Sequence, residues 1–227
     1  MYAVKGNRLA VKVLFKKAAK DGEKLGRQLA FVRRLPLEDV PIARPLAILE
    51  PPPFGYVMGM LSDMECWRKL LNPPGGTSQS EHYIRTGGLR RRLQLLAYCA
   101  DALNQLHGKG LAYGDLSPNN VLISRTPTEH VFYLIDADNL HYESAPGMLR
   151  LHTPGYGAPE IVTGCSGVNS LTDAHSFAVL AFKTLSMVHP LLGDWVEASA
   201  PKLEQRALRG ELPWIDHPED DRNRSSY

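Results

Sequence analysis

The chain has 227 residues, 44% hydrophobic and 22% charged, which is enough apolar material for one large domain or two small lobes. Its formal net charge of +2 gives no bulk electrostatic reason to bind nucleic acid or a membrane surface. Cys66, Cys99 and Cys165 are far apart and lack metal-ligand spacing, so the expectation is free thiols in a reducing cytoplasm rather than a disulfide framework. The opening MYAVKGNRLAVKV has no signal-peptide core, and the apolar stretch 177–192 is interrupted by Lys183, His189 and Pro190, so no membrane span is expected.

In chain order, LAVKVLF predicts a strand over 9–15 with Lys12 in its middle. Good helix formers over 16–35, stopped by Pro36, predict a helix. Strands are expected over 42–50 and 54–61, separated by a turn at Pro51–Pro53, and a polar Pro/Gly/Ser loop over 72–88. A long helix over 89–107 follows, with Leu93, Leu96, Ala97, Ala100, Leu103 and Leu106 as its apolar face. Arg90, Arg91 and Arg92 read as its solvated start. Short strands over 121–124 and 131–135 and a helix over 172–187 come next, and the polar end PEDDRNRSSY is expected to fray. A small β lobe followed by a mostly helical lobe is the simplest α+β arrangement.

The residues with most chemical content lie in YGDLSPNNVLI, 113–123, and in the LIDAD that closes the next strand. Asp115 precedes Asn120 by five residues, and Asp136 stands at the mouth of the following strand. Asn120 and Asp136 supply carboxylate and amide oxygens suited to Mg²⁺, with Asp115 placed to orient a hydroxyl and accept its proton. Either piece alone arises readily by chance; their order on adjacent strand ends carries the signal. The eight histidines show no HExxH spacing, so zinc is not indicated.

YGDLSPNN resembles the HRDLxxxxN catalytic loop of protein kinases, and LIDAD occupies the position of their DFG motif. HTPGYGAPE at 152–160 resembles the end of an activation segment, with Ala158-Pro159-Glu160 as its APE. In the helix after it, Asp173 would brace the catalytic loop. AVKV resembles the VAIK strand, which makes Lys12 the phosphate-contacting lysine, and YVMGML resembles the hinge. The resemblance therefore implies a bilobal kinase-like fold: residues 1–61 an abbreviated N-lobe with hinge, residues 62–227 the C-lobe. It implies ATP and Mg²⁺ as cofactors, with Lys12, Asp115, Asn120 and Asp136 catalytic and Asn120 and Asp136 on the metal. Met58 would be the gatekeeper, the backbone of Gly59, Met60 and Leu61 would meet adenine, and Leu122 would lie beneath it. The implied activity is Ser/Thr-type transfer to a protein substrate, in the manner of divergent cytoplasmic bacterial members. A binding or scaffold pseudokinase and a small-molecule kinase of aminoglycoside or choline type are the alternatives.

Several positions depart from the pattern. Only eleven residues precede Lys12, and Gly6 alone cannot form a GxGxxG cover, so either the chain is clipped or the phosphates are covered differently. Helix phase favours Gln28 as the partner of Lys12, while Glu23 is the nearest acid. Gly114 replaces the arginine before the catalytic acid, Ser117 replaces a lysine, and Ala137-Asp138 replace Phe-Gly. Tyr142, Ser144 and Thr153 are candidate phosphate acceptors. Glu160 is expected to draw on Arg206, Arg209 or Arg222, or to lack a partner in this chain. His107 is expected to be structural.

Overall fold

The computed structural model describes residues 2–3, 8–13, 22–49, 55–143, 152–199 and 201–226. Among them, β1 (Tyr2–Ala3), β2 (Leu9–Val13), α1 (Gly22–Arg33), β3 (Ala47–Ile48) and β4 (Gly55–Gly59) come first. The strands form one antiparallel sheet, ordered β1-β2-β4-β3. Its register sets Lys12 opposite Tyr56 and Ala10 opposite Met58. Ala10, Tyr56 and Met58 are buried with Leu29 and Ala43 in a small core. On α1, Leu29 and Val32 are buried three residues apart, the spacing that puts them on one helix face. The helix gives out just before Pro36, which has no N–H to continue it.

The following elements are β5 (Met64–Cys66), α2 (Arg68–Leu71), α3 (Gln79–Arg85), α4 (Gly88–Gly108), β6 (Leu111–Ala112), β7 (Val121–Ser124), β8 (Phe132–Leu134) and β9 (His141–Tyr142). After them stand α5 (Pro159–Val162), α6 (Ser170–Ser186), α7 (Asp194–Glu197) and α8 (Pro201–Leu208). A three-stranded sheet β5-β7-β8 and the pair β6-β9 accompany the helices. The main core runs between α4, α6 and β7-β8, and takes in Trp67, Leu95, Leu106, Val121, Leu134 and Leu180. Trp67 is fully buried, and its indole N–H donates to Thr184 Oγ1 at 2.9 Å. An Asn169/Thr172 capping box fixes the start of α6. The architecture is the α+β, kinase-like arrangement that the sequence implies.

Four expectations require correction. Residues 72–88 are not all loop, because α3 forms there. Ser78 caps it by accepting the Glu81 amide, and this Ser-x-x-Glu signal sits in a stretch whose Pro and Gly content hides it. The expected strand 42–50 is reduced to Ala47–Ile48. Pro41 and Pro45 cannot donate to a ladder, and Ile42 instead makes an isolated parallel bridge to Leu134. On α4, Leu96, Leu103 and Leu106 are buried, but Leu93 is 49% exposed and Ala97 and Ala100 face outward.

The true buried stripe of α4 includes Arg91 and Arg92, which are not a solvated start. The Arg92 guanidinium donates to the carbonyls of Thr184, Tyr83 and Leu70 and lies 3.7 Å over the Tyr83 ring. Carbonyl dipoles and a π-face compensate this buried cation. A pattern search that treats arginine as surface therefore selects the wrong phase.

The fourth correction is the C-terminal segment, which docks. Asn223 is fully buried; its Oδ1 accepts from Gly193 N at 3.0 Å, and its Nδ2 donates to Leu191 O and Pro213 O. A Cβ on Gly193 would come within 1.8 Å of Asn223 O, so only glycine permits this approach. The expected turn at Pro51–Pro53 and the 14–21 portion of the strand and helix lie outside the described residues, as does Gly6. Cys66, Cys99 and Cys165 are free thiols. Among the described residues, no helix is long and apolar enough to cross a membrane.

His189 couples this packing to pH. It is buried, donates through Nε2 to Gly155 O and accepts Leu191 N–H at Nδ1, so both ring nitrogens are satisfied only in the neutral form. Burial pushes its pKa down to about 4 against the opposing pull of the Gly155 hydrogen bond. Between about pH 6.5 and about 4 the unfolded chain therefore binds a proton that the folded chain refuses, and stability falls as pH falls. The loss is on the order of 3 kcal/mol across that window. Thermal melts from pH 7.5 to pH 5 are expected to show a smaller acid-induced drop in Tm for His189→Gln than for wild type; equal drops would contradict the assignment.

Candidate active site

Lys12, Asp115, Asn120 and Asp136 converge through three anchored segments. The loop from Tyr113 to Asn120 is held from below by Asp173, which is 1% exposed. Its carboxylate accepts Tyr113 N at 2.7 Å and Gly114 N at 2.9 Å, and it meets His107 Nε2 at 3.0 Å. Asp173 is thus the brace, and His107 packs beneath the loop. Tyr113, fully buried, puts its hydroxyl between the carbonyls of Asn120 and Ile135 and ties the loop to the end of β8. Burial raises the Tyr113 pKa well above its usual value, and the nearby carboxylates add to the rise, so the phenol stays neutral and donating.

Gly114 has φ +90°, and a Cβ there would lie 3.4 Å from both Asn139 O and Val168 Cγ1. The turn that presents Asp115 therefore disfavours any side chain at 114, an arginine included. Asp115 is engaged at both oxygens. Oδ1 accepts Thr153 N at 2.7 Å and Thr153 Oγ1 at 2.8 Å, and Oδ2 accepts Asn120 Nδ2 at 2.8 Å. Thr153, read from the sequence as a loop polar or phosphate acceptor, is a direct partner of the central acid. Asn120 spends its amide N–H groups on Asp115, leaving the amide oxygen without a hydrogen bond among the described residues.

Asp136 sits in the left-handed region at φ 57°, ψ 47°, a conformation that costs a non-glycine residue on the order of 1 kcal/mol. Its Oδ1 meets Lys12 Nζ at 2.8 Å. Asp138 Oδ1 meets the same ammonium at 3.2 Å, and the Tyr56 hydroxyl stands 3.5 Å from that oxygen. Burial would lower the Lys12 pKa; the charge of Asp138, the Tyr56 phenol and Asp136 outweigh it and hold the ammonium above the ordinary lysine value.

Gln28 reaches this cluster but not Lys12. Its Nε2 donates to the carbonyls of Asp138, at 3.1 Å, and Leu140, at 2.6 Å. The expected Gln28–Lys12 pairing is therefore corrected: α1 fixes the segment that carries Asp138, and Asp138 holds the lysine. The Glu23 side chain and Ser144 lie outside the described residues. The sequence assigns no site role to Asp138 or Tyr56, and it offers Thr153 as a phosphate acceptor rather than as a partner of Asp115. The second acid of DAD was the available signal; Tyr56 shows itself only through the β2-β4 register.

The hinge residues divide. Met58 is buried, and Leu61 and Ile135 pack against its cluster. Met60 is 43% exposed, and its N–H donates to Arg8 O at 2.8 Å, so that amide is already committed within the sheet. Gly59 belongs to the alternate position of the ladder and turns its backbone groups away from β2. Leu122 is half-buried on β7, between Cys66 and Tyr133. Ser117 is buried, and its hydroxyl has no partner among the described residues. Arg206 pairs with Glu211 and Arg222 with Asp220, and neither serves Glu160, which makes no ion pair among the described residues.

No family model matches the chain. It is 29% identical over 206 residues to the serine/threonine-protein kinase PknA of Mycobacterium tuberculosis, covering 83% of this chain and 43% of that protein. It is 27% identical over 198 residues to the serine/threonine-protein kinase PkaA of Streptomyces coelicolor, covering 83% and 34%. It is 34% identical over 104 residues to the serine/threonine-protein kinase pkn2 of Myxococcus xanthus, covering 42% and 12%. The chain thus spans less than half the length of each of these relatives.

Removing the brace tests how far the loop depends on it. Asp173→Ala leaves two buried amides without an acceptor and is expected to cost about 3 kcal/mol or more in urea unfolding. Asp173→Asn, which keeps one acceptor oxygen, is expected to lose less. A loss below about 1 kcal/mol for the alanine variant would show that the loop stands without Asp173.

Proposed function

We propose that this chain, a divergent kinase-like homologue of the bacterial Ser/Thr protein kinases, transfers the γ-phosphoryl group of Mg·ATP to a hydroxyl of a protein substrate. The observation that carries the reading is the convergence of Lys12 and Asp136, 124 residues apart in the chain, beside the Asp115–Asn120 pair. Residues 1–61 are taken as the N-lobe with hinge, and 62–227 as the C-lobe.

The donor set suits magnesium. The Asn120 amide oxygen and Asp136 Oδ2 are hard oxygens without hydrogen bonds among the described residues. Among the described residues, no group of three or more His, Cys, Asp or Glu side chains is arranged for a metal. Two protein oxygens, with phosphates and water completing the shell, are the usual economy of a Mg²⁺ site. When bound, the ion would neutralise charge on the phosphates. Lys12 supplies a fixed positive charge to the phosphates, in a position set by Asp136 and Asp138 rather than by a helix glutamate. Asp115 orients the incoming hydroxyl and takes its proton, and Asn120 and Thr153 hold that carboxylate in place. Met58 and Leu122 offer apolar surface for a base, and Gly59 and Leu61 offer backbone groups at the sheet edge. The Met60 amide, spent on Arg8, is left out of that set.

The test is transfer of labelled γ-phosphate to the protein itself and to a generic acceptor such as casein, with Mg²⁺ or Mn²⁺. Wild type is expected to transfer. Asp115→Ala should keep nucleotide binding and lose about 100-fold or more in turnover, and Asp136→Ala should lose both. Nucleotide binding with no transfer by wild type under either metal would favour the binding-module reading and overturn this one.

A further inference from the structure

A cavity of about 420 Å³ shares no residue with the site around Lys12. It opens between β5, α2, α3, the start of α4 and the end of β7. Lys69, Arg85, Arg91 and Arg125 line it, against a single carboxylate, Glu65. Four cations facing one acid leave a strongly positive concavity in a chain whose net charge is only +2.

Arg91 is the informative member. It is 2% exposed, yet no ion pair compensates it among the described residues. Its terminal nitrogens donate to the carbonyls of Thr86 and Ser124, while its Nε is buried without a hydrogen-bond partner among the described residues. Burial pulls its pKa below the ordinary arginine value, with Glu65 the opposing charge. A desolvated guanidinium beside a cavity, without a counter-ion among the described residues, is stabilised by an anion held in that cavity even where its own nitrogens do not touch it. Arg92, one residue on, shows the contrast, for each of its nitrogens has acceptors within the protein.

The other cations are available at the surface. The Lys69 ammonium makes no hydrogen bond or ion pair among the described residues. Arg125 uses only its Nε, on Met64 O at 3.2 Å, which leaves its terminal nitrogens free to turn inward. Arg85 is shared with the exposed Glu81 at 3.3 Å. Pro74 and Pro127 are the only wholly apolar side chains among its lining residues. That lining gives a peptide few side-chain pockets, whereas forked guanidinium donors match phosphate oxygens. The volume falls in the range that encloses a small molecule.

We propose that this cavity binds a small phosphorylated molecule, with Lys69 and Arg125 contacting its phosphate oxygens and the buried Arg91 guanidinium adding positive charge behind them. The proposal does not depend on the phosphotransfer reading, since none of its residues belongs to that site.

Isothermal titration with pyrophosphate, without divalent metal and at fixed ionic strength, is the test. Arg91 is avoided because its loss endangers the fold; Lys69→Ala/Arg125→Ala removes two exposed cations instead, with circular dichroism confirming an intact structure. Wild type and Lys12→Ala are expected to bind one equivalent with affinities within about twofold of each other. The double variant is expected to bind at least about tenfold more weakly. Absence of binding by wild type, equal binding by the double variant, or loss of binding in Lys12→Ala would each overturn the proposal. Citrate binding as tightly as pyrophosphate would overturn the assignment to phosphate.

Discussion

The ammonium of Lys12 ties together parts of the chain more than a hundred residues apart. It leaves β2 one residue from that strand's end and reaches in between Asp136 and Asp138, just past β8. The position is partly buried, so the charges interact in a medium far less screening than water, and desolvation would be punishing if either carboxylate were missing. The left-handed backbone at Asp136 is tolerated because the ion pair and the Gln28 contacts to the carbonyls of Asp138 and Leu140 over-determine it. One short segment thus presents two acids to one lysine, and α1 contributes through an amide rather than a charge.

The same principle, a buried polar group fully satisfied by neighbours from elsewhere in the chain, organises the Asp115 loop. Asp173 holds two of its backbone amides, Tyr113 links it to β8, and Thr153 and Asn120 close on the carboxylate itself. Because Asp173 and Thr153 reach the loop from other segments while Asn120 closes it from within, Asp115 cannot move without breaking several hydrogen bonds together. Preorganisation of this kind suits phosphoryl transfer, where positioning and charge contribute most of what the protein provides.

Much of this was legible in the residues. The order of Lys12, Asp115, Asn120 and Asp136 on strands and loops and the bounds of β7 follow from local pattern, and the brace at Asp173 follows from the resemblance of its helix to that of protein kinases. Less legible were features whose cause is non-local. The buried face of α4 was misread because Arg91 and Arg92 lie on it, and their carbonyl partners come from segments distant in sequence. Asn223 reads as a tail polar until Gly193 is seen to make room for it. Asp138 looked like a lost glycine of a motif, and only the register of Lys12 against Tyr56 reveals it as the lysine's second partner. Gly114, which reads as a missing arginine, proves to be what a positive-φ turn requires.

The hold of Asp138 on Lys12 is the least anticipated of these links, and a double-mutant cycle measures it without any ligand. Unfolding free energies in urea would be compared for wild type, Lys12→Met, Asp138→Asn and the double variant. A coupling energy on the order of 1 kcal/mol is expected for a partly buried pair of this geometry. Additivity within about 0.3 kcal/mol would mean that Asp138 does not hold the lysine, and would contradict the view that it replaces the helix acid.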